Sequence, residues 1–437
     1  MNQIYLGIDI GTTNLSAVVW DSAEKTILKT YIAANASRLE SDRDLAEFDA
    51  AGIILQAKEI IDDAILAYPQ IKAIGITGQM HGVVYVSEEG KPISALYNWQ
   101  DGRGNRLYAS GKSYCSEILD RTGYLCHTGY GFTTLFYNHQ NHIEPENAYS
   151  FCTIMDCLGL ELTGRTDPLI HATNAASLGL YDIEKGCFDE VALQKLDLSH
   201  LSLPQVTDKA SAVGHYQGIP VCVAIGDNQA SFLGSVRSET DALVNFGTGS
   251  QISLPIDHFL IPPENIEIRP YLFGNYLLCG SALCGGKAYA ILEKFFRSYA
   301  NALTGETVSQ YEIMNRLAEE AYPGDCAPEV STRFCGTRQN PSLRGYIRGI
   351  SDSNLTPGNL ILGVLQGMAD ELKGYYDAME HSHITGLAAS GNGVKKNAVL
   401  QKILVDTFGM PLALTNCSEE AALGCALFAQ MAGGTTP

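Results

Sequence analysis

Two turns of glycine and threonine, each lying between two apolar segments, occur in this chain, one near the start of each half. They are Gly11-Thr12-Thr13-Asn14 and Gly247-Thr248-Gly249-Ser250. The flanking segments read as β-strands because they are short, apolar and rich in β-branched residues; they span 3–10, 15–20, 241–246 and 251–255. A hairpin that recurs in both halves predicts two similar lobes.

Helices and further strands follow each hairpin. An amphipathic helix at 51–67 precedes a strand at 71–77, and a helix between strands is typical of α/β architecture. The other predicted elements are a strand at 220–226, helices at 286–302, 307–322, 357–380 and 394–408, and a strand and loop at 386–391. We predict an α/β protein of two lobes, residues 1–238 and 239–437, with a cleft between them.

The charge and cysteine content exclude several classes of protein. The net charge of −19 argues against a nucleic-acid-binding surface, because such surfaces neutralise phosphates with Lys and Arg. Twelve Cys occur without a Cys-x-x-Cys pair, which favours free thiols in a reducing compartment. No segment has the pattern of a signal peptide or the apolar length of a membrane span. We expect a cytoplasmic monomer or homodimer with no membrane or nucleic-acid partner.

Both Gly-Thr turns have the chemistry of a phosphate site. Backbone N–H groups of a tight turn and Thr hydroxyls donate hydrogen bonds to phosphate oxygens, and Gly lets a ligand approach the backbone. Asp9 ends the first strand and is suited to hold Mg²⁺ through water. The alternative is a pair of ordinary hairpin turns. The chain lacks the Gly-x-x-x-x-Gly-Lys-Ser/Thr loop and the protein-kinase motifs.

Asp227 is the candidate catalytic base. It follows the short apolar strand 220–226, and α/β folds bind ligands at the carboxyl ends of their strands. An Asp in that place can accept the proton of an attacking hydroxyl during phosphoryl transfer. The alternative is a helix N-cap, a position in which Asp is favoured without any catalytic role.

Two polar segments have the composition of a polyol site. The first is Thr77-Gly78-Gln79-Met80-His81-Gly82 and the second runs from Tyr97 to Arg103, including Trp99 and Asp101. Amide, imidazole and carboxylate groups suit a ligand with many hydroxyls, and a Trp face suits the apolar side of a sugar. The alternative is that His81 is a satisfied interior histidine and Trp99 a core anchor.

A loop of small residues in the second half is a candidate adenosine site. Ala388-Ala389-Ser390-Gly391-Asn392-Gly393 precedes a predicted helix, so a flat ring could lie against bare backbone. Asn397 follows and could donate a hydrogen bond to that ring. The alternative is a tight strand-to-helix turn.

In this order the motifs resemble those of the carbohydrate kinase family that includes glycerol kinase, xylulokinase and sedoheptulokinase, and the resemblance extends from Gly7 to Gln430. It implies two ribonuclease-H-like lobes, as in actin and hexokinase, and ATP- and Mg²⁺-dependent phosphorylation of a sugar. The motifs are most similar to the sedoheptulokinase branch in Thr77–Val84, Trp99–Arg103, Thr122–Thr134, Asn174–Ser177 and Gly226–Ser231. Sedoheptulose, phosphorylated at its terminal primary hydroxyl, is therefore the implied substrate.

The same resemblance implies roles for individual residues. Asp227 corresponds to the catalytic base, Asn228 to a sugar contact beside it, and Asp9 to the carboxylate on the Mg²⁺ side. The implied phosphate contacts are Gly11, Thr12, Thr13, Asn14, Gly247 and Thr248. The implied adenosine contacts are Gly391, Asn392 and Asn397, and the implied sugar contacts are Gln79, Met80, His81, Trp99 and Asp101.

Other functions remain open at this stage. The same chemistry on xylulose, ribulose or another polyol is the nearest alternative. A non-catalytic nucleotide-binding protein of the actin-like fold is an alternative from a different class, although Asp227 would have no use there. A dehydrogenase is a third, and the chain lacks a good dinucleotide-binding fingerprint after its first strand.

Overall fold

Both predicted hairpins are present in the computed structural model of the chain, which describes residues 3–323, 326–337, 340–415 and 417–432. The chain packs as two units. The first unit contains the chain up to Gly234, the segment Arg269–Asn275 and the chain from Cys417 onward. The second unit contains Ser235–Ile268 and the chain between Tyr276 and Cys417.

The elements of the first unit are as follows. Its strands are β1 (Ile4–Ile10), β2 (Asn14–Asp21), β3 (Thr26–Ala34), β4 (Glu47–Phe48), β5 (Ile71–Gly78), β6 (Val84–Val86), β7 (Leu96–Tyr97), β8 (Ser150–Cys152), β9 (Leu169–His171), β10 (Tyr181–Asp182), β11 (Cys187–Phe188), β12 (Gln205–Thr207), β13 (Ala212–Tyr216), β14 (Ile219–Cys222) and β15 (Ile225–Gly226). Its helices are α1 (Ala50–Ala67), α2 (Tyr114–Thr122), α3 (Gly131–Gln140), α4 (Ile154–Thr163), α5 (Ala172–Leu178), α6 (Glu190–Lys195) and α7 (Asp227–Ser235), with a 3-10 turn at Arg103–Asn105.

The main sheet of the first unit has the order β13-β14-β5-β1-β2-β3, and β15 also pairs with β5. Strands β1, β2 and β3 are antiparallel neighbours, as consecutive strands joined by short turns must be. Strand β5 runs parallel to β1, β14 and β15, and helical or long connections lead from β1 to β5 and from β5 to β14. The edge strand β13 is antiparallel to β14. The core strands are apolar on both faces, as expected for a sheet covered on both sides.

The second unit contains strands β16 (Asp241–Phe246), β17 (Ser250–Ile256), β18 (Ile266–Pro270), β19 (Tyr276–Ala282), β20 (Glu329–Val330), β21 (Ile347–Arg348), β22 (Gly386–Ser390) and β23 (Leu412–Leu414). Its helices are α8 (Gly286–Thr304), α9 (Tyr311–Ala321), α10 (Pro357–Ala378), α11 (Asn392–Lys395) and α12 (Ala398–Phe408). The buried apolar side chains of this unit form a core separate from that of the first.

The two main sheets share one strand order. In the second unit the order is β18-β19-β17-β16-β22-β23. Within it, the three antiparallel strands β19, β17 and β16 are followed by the parallel strands β22 and β23, as β3, β2 and β1 are followed by β5 and β14 in the first unit. Each sheet has one further edge strand, β18 or β13. This repeated order confirms the predicted α/β fold of two ribonuclease-H-like units. Among the helices in the described part of the chain, none is both long and apolar enough to cross a membrane.

A last helix, α13 (Glu420–Ala432), belongs to the first unit although it ends the chain. It lies directly on the sheet at two glycines: a Cβ on Gly7 would be 2.0 Å from the Ala422 carbonyl oxygen, and one on Gly75 would be 1.9 Å from that of Cys425. The predicted division into residues 1–238 and 239–437 differs at this helix and at 269–275, because both segments pack with the first unit.

Two predicted elements are interrupted. The strand predicted at 220–226 is split into β14 and β15, with residues 223 and 224 between them. The helix predicted at 394–408 is split into α11 and α12, since Asn397 accepts a hydrogen bond from Leu400 N (2.9 Å) and so caps a new helix. The helix predicted from residue 307 begins at Tyr311.

Candidate active site

Three adjacent parallel strands of the first unit end beside one another. Asp9 is paired with Thr77 between β1 and β5, and Gly78 is paired with Gly226 between β5 and β15. The residues that leave these strand ends are therefore neighbours at one edge of the sheet. Asp9, Gln79 and Asp227 are far apart in the sequence. The parallel pairing of the three strands brings them to the same edge.

Strand β15 is fixed on both sides by buried side chains. Thr77 Oγ1 donates to the Ile225 carbonyl oxygen (2.8 Å), and Gly226 N donates to Thr173 Oγ1 (3.0 Å). Just before this strand, Asn174 Nδ2 donates to the Ala224 carbonyl oxygen (3.0 Å). Helix α7 begins at the next residue, so Asp227 is its first residue and its position is set by β15.

The carboxyl group of Asp227 is held in a partly desolvated position. Burial raises the pKa of Asp227 to about 6, and the effect is opposed by the Asn228 backbone N–H and by the positive charge of Arg269. A carboxyl group with a pKa near 6 is ionised at neutral pH and is a stronger base than an exposed Asp. These are the properties of a general base.

Asp9 is more strongly perturbed than Asp227. Burial is the largest cause that raises its pKa to about 8, and the charges of Asp227 and Glu419 add to the effect. Its Oδ1 atom is buried and has no hydrogen-bond partner. A buried carboxylate oxygen without a donor, beside two further carboxylates, fits a cation, and oxygen ligands of this kind suit Mg²⁺.

The first Gly-Thr turn is connected to the polar segments by hydrogen bonds. Trp99 Nε1 donates to Thr12 Oγ1 (2.9 Å), and Thr12 Oγ1 donates to Gln79 Oε1 (3.3 Å). Asn98 Nδ2 donates to the same oxygen of Gln79. The Trp99 side chain is not a core anchor, since 46% of the residue is exposed. Its ring is available to a ligand.

The turn itself is open to solvent. Thr13 and Asn14 are exposed, and Gly11 and Thr12 are half-buried. Asn35 Nδ2 donates to the Gly11 carbonyl oxygen (3.1 Å) and so fixes the turn from the side of β3. A Cβ on Gly11 would be 2.6 Å from the Asn14 carbonyl oxygen, so the tightness of this turn requires glycine.

Met80 and His81 lie beside this edge of the sheet. A Cβ on Gly226 would be 2.6 Å from Met80 Sδ, which places Met80 next to the residue that precedes Asp227. The His81 ring stacks on Tyr130 with centroids 4.4 Å apart, and its Nδ1 lies 2.8 Å from the Ser177 carbonyl oxygen. His81 is half-buried rather than fully interior.

The structure places the side chain of Asp101, a predicted sugar contact, in the interior of the first unit rather than at the open edge of the sheet. Its side chain is fully buried, and both oxygens are used within the fold. Oδ1 accepts from Arg103 N (3.0 Å) and Nε (2.7 Å), and Oδ2 accepts from Ala46 N (3.1 Å). Asp101 therefore supports the loop that carries Trp99.

Three more polar atoms at this edge are buried without a protein partner. They are Gln79 Nε2, Asn228 Oδ1 and Gln229 Oε1. Buried polar atoms are nearly always hydrogen-bonded, and leaving one without a partner costs about 1–3 kcal/mol. Their concentration beside Asp227 is the signature of a site that a polar ligand completes. Gln229 was not among the predicted site residues.

The second unit contains a cavity of about 940 Å³, which is lined by the residues predicted to contact phosphate and adenosine in this half of the chain. Those at its wall are Gly247, Thr248, Gly391, Asn392 and Asn397. The Gly247-Thr248 turn is exposed. It is fixed to the start of α8, where Gly286 N donates to the Gly247 carbonyl oxygen (3.0 Å). Turn and loop, separated by more than 140 residues in sequence, therefore line one cavity.

The backbone of Gly391 makes the closest approach in this wall. Its φ is +90°, and a Cβ would lie 2.5 Å from the Phe246 carbonyl oxygen. Only glycine combines this conformation with this contact. Asn397 lines the cavity, but its Oδ1 caps α12 and its Nδ2 donates to Asn315 Oδ1 (3.3 Å), so its amide is already engaged.

Sequence reasoning missed several residues of both sites. In the cavity they are Lys287, Lys396, Tyr289 and Tyr311, which supply positive charge and aromatic surface. In the first unit Glu419 lies just before α13 and acts on Asp9. The Glu420-Ala-Ala-Leu-Gly motif next to Glu419 was the one signal that could have indicated it.

Comparison with known proteins identifies first the fold and then the protein family. A xylulose kinase from Rhodospirillum rubrum has the same fold, with a TM-score of 0.83 and 20% identity over 99% of this chain and 90% of that one. Models of the FGGY family of carbohydrate kinases match residues 4–234 (N-terminal domain) and 270–433 (C-terminal domain). The chain belongs to the FGGY family of carbohydrate kinases, and it is an ATP-dependent sugar phosphotransferase.

Two relatives indicate the range of acceptors within the family. The chain is 26% identical to the sedoheptulokinase of Mus musculus, over 97% of this chain and 96% of that protein. It is also 26% identical to the glycerol kinase of Alteromonas mediterranea, over 99% of this chain and 91% of that protein. The family resemblance inferred from the motifs is confirmed.

Proposed function

We propose that the protein transfers the terminal phosphoryl group of ATP to the terminal primary hydroxyl of a ketose, with sedoheptulose as the first candidate. The observation that carries this proposal is the group of buried, unpartnered polar atoms beside Asp227. A polyol chain offers hydroxyls that both donate and accept, so it can satisfy an amide N–H and two carbonyl oxygens together.

Asp227 is the base in this proposal. The sugar hydroxyl would donate a hydrogen bond to its carboxylate, which orients the oxygen for attack and accepts its proton as the new O–P bond forms. The raised pKa of Asp227, about 6, makes this transfer more favourable than it would be to an exposed Asp. The fixed position of β15 holds the carboxylate in place before the sugar binds.

The remaining residues at the sheet edge would bind and orient the sugar. Gln79 and Asn228 have buried polar atoms that lack protein partners. The exposed ring of Trp99 would cover an apolar face of the sugar, and His81 and Met80 would complete the wall. Asp101 has no place in this wall, because Arg103 and Ala46 occupy its oxygens.

Mg²⁺ fits at Asp9. We propose that Asp9, with Glu419 nearby, would hold the ion through its water ligands, and the ion would neutralise charge on the phosphate oxygens. The Gly11–Asn14 turn would donate N–H and hydroxyl groups to the same oxygens. A cation bound there would offset the burial and the negative charges of Asp227 and Glu419 that raise the pKa of Asp9.

ATP would occupy the cavity of the second unit. Its volume of about 940 Å³ is enough for a nucleotide, and its wall combines a Gly-Thr turn, two lysines and two tyrosines. We propose that the adenosine lies against Gly391 and Asn392, and that the phosphates meet Gly247, Thr248 and Lys287. The use of ATP and the twelve cysteines present as thiols favour the cytoplasm as the place of action.

A coupled assay of ADP release across several acceptors tests the choice of sugar. With Mg-ATP, we expect kcat/KM to be highest for sedoheptulose and lower for xylulose, ribulose and glycerol. A value at least tenfold higher for xylulose or glycerol would replace sedoheptulose as the substrate. The conserved chemistry of the family would be unaffected by that result, because it concerns only the shape of the sugar wall.

A further inference from the structure

Two histidines and a glutamate of the first unit lie close together outside the candidate active site. His139 Nδ1 lies 2.9 Å from Glu144 Oε2, and His200 Nε2 lies 2.6 Å from Glu144 Oε1. The two imidazole rings have centroids 4.8 Å apart and are inclined by 31°. One ligand atom from each residue lies within 4.8 Å of the other two.

These three side chains have the donor set of a transition-metal site. Two imidazoles and one carboxylate form a recurrent Zn²⁺ ligand set, with a fourth position left to water. Ligand atoms around tetrahedral Zn²⁺ are about 3.3 Å apart for bonds of about 2.0–2.1 Å. Shifts of about an ångström in exposed side chains would bring the observed positions to that geometry. Imidazole does not suit Mg²⁺, so the site differs chemically from that of the kinase reaction.

The backbone holds the three residues together without a metal. His139 lies in the last turn of α3, and Ile143 N donates back to the Asn138 carbonyl oxygen (2.9 Å), which turns Glu144 toward the helix. The segment with His200 is tied to the same loop, since Ser202 N donates to the Tyr149 carbonyl oxygen (2.8 Å). Such preorganisation reduces the entropy lost when ligands gather around an ion.

The site is also accessible. The side chain of Glu144 is 13% exposed, and those of His139 and His200 are 32% and 43% exposed. An ion can therefore enter from solvent and find a carboxylate that is mostly desolvated. Each imidazole that donates to Glu144 carries its proton on the near nitrogen, and metal binding would require that proton to move to the far nitrogen.

We propose that His139, Glu144 and His200 form a binding site for one divalent transition-metal ion, of which Zn²⁺ is the best match. The ion would fasten the end of α3 and the loop around Glu144 to the segment around His200, which lies about sixty residues further along the chain. The site is separate from the proposed sugar and nucleotide sites.

Cobalt binding tests this site directly, because tetrahedral Co²⁺ absorbs visible light strongly and octahedral Co²⁺ does so weakly. We expect the wild type to bind one more Co²⁺ than Glu144→Gln and His200→Gln, with a tetrahedral spectrum, in the presence of excess Mg²⁺. His142→Gln is the matched control, since His142 lies in the same loop but outside the cluster, and it should bind as the wild type does.

The exposed thiols of Cys187 and Cys326 could also bind Co²⁺, but they are present in the wild type and in all three variants. Their contribution therefore cancels in the comparison. Thermal melts in EDTA establish that each variant is folded; if Glu144→Gln is not, the largely exposed His200→Gln carries the test. Zn²⁺ at a hundredfold excess over its Kd should raise the wild-type Tm by about 3–6 °C and leave that of His200→Gln unchanged. Equal Co²⁺ stoichiometry in the wild type and in His200→Gln would show that the cluster is only a hydrogen-bonded group.

Discussion

Asp9 and Asp227 show how position sets the chemistry of two identical side chains. Asp9 lies near the end of β1 and Asp227 directly follows β15, two strands of one sheet, and burial raises the pKa of both. Asp227 receives an opposing contribution from Arg269 and from a backbone N–H, whereas Asp9 faces further negative charge from Asp227 and Glu419. The first is therefore suited to accept a proton, and the second to meet a cation.

The pH dependence of turnover follows from the pKa of Asp227. A carboxylate base acts only when ionised, so kcat/KM for the sugar should be constant above about pH 7 and fall tenfold per unit below about pH 6. Saturating Mg²⁺ keeps Asp9 ionised over this range. The profile is measured by direct quantification of ADP, which avoids coupling enzymes. A profile that stays flat to about pH 5 would contradict the assignment.

Replacing Asp9 should stabilise the metal-free protein while impairing its activity. The folded pKa of Asp9 is about 8 and the unfolded value is about 3.9, so the folded state loses stability as pH rises between these values. Asn cannot ionise and avoids this loss. In EDTA, the Tm of Asp9→Asn should exceed that of the wild type by about 2–4 °C at pH 8 and approach it near pH 5.

A control for this result is Asp182→Asn. Asp182 is paired with Lys185 on the surface, and this hydrogen bond lowers its pKa. Its replacement should not produce a Tm advantage that grows with pH. If Asp9→Asn melts below the wild type at pH 8 in EDTA, the account of Asp9 as a carboxylate that lacks its cation is wrong.

Lys287 should contribute to the binding of phosphates rather than of adenosine. It lines the cavity beside the Gly247-Thr248 turn. Loss of one charge-assisted contact in Lys287→Met should raise the Kd for ATP about tenfold and change the Kd for adenosine less than twofold. Calorimetric titration measures both. Lys373→Met, which removes a lysine paired with Asp377, is the control and should bind both ligands normally.

Individual residues were predicted well where local chemistry alone decides their place. The Gly-Thr turns and the carboxylate after a buried strand fall in this class. Asp101 does not fall in this class. The sequence showed Asp101 and Arg103 as two members of one polar segment, and the ion pair between them forms only when the loop folds. Lys287 was missed because it stands in no recognisable local pattern, and Glu419 was missed because it lies just outside the Glu420-Ala-Ala-Leu-Gly motif.

At the scale of secondary-structure elements, α13 packs closely against its neighbours at several glycines. A Cβ on Gly424 would be 1.8 Å from the Ala230 carbonyl oxygen, so α7 and α13 touch backbone to backbone. Since α7 begins at Asp227, this contact also helps to place the candidate base. Periodicity predicted the long helices α1, α8, α9 and α10 to within a few residues, but the sequence gave no sign that α13 packs on the first sheet.

Enlarging Gly424 should therefore affect both stability and turnover. Gly424→Ala should lower the free energy of unfolding by about 1–3 kcal/mol, as overpacking does, and lower kcat because α7 must shift. Gly159→Ala is the matched control in α4, where the added Cβ would meet Val213 Cγ2 at an ordinary 3.7 Å. Chemical denaturation measures both variants. Equal stability of the two would show that the contact between α7 and α13 is looser than described.

At the scale of the whole molecule, the chain folds as two units whose main sheets have corresponding strand orders, and the candidate site residues are distributed over both units. The buried, unpartnered atoms of Asp9, Gln79, Asn228 and Gln229 lie in the first unit, and a cavity of about 940 Å³ lies in the second. The duplicated hairpin in the sequence predicted this duplication, because each copy starts a sheet with the same order. The packing of residues 269–275 and 417–432 with the first unit could not be predicted, since it depends on long-range contacts, such as those of α13 with Gly7 and Gly75, that form only on folding.

The measurement that tests the account most directly compares Asp227→Asn with the wild type in two assays. Sugar-dependent ADP release should fall about 10²–10⁴-fold, because the variant cannot accept the proton, while the Kd for Mg-ATP should stay within about twofold. Asp182→Asn should match the wild type in both assays. Turnover of Asp227→Asn at the wild-type rate would contradict the central claim that this carboxylate activates the sugar.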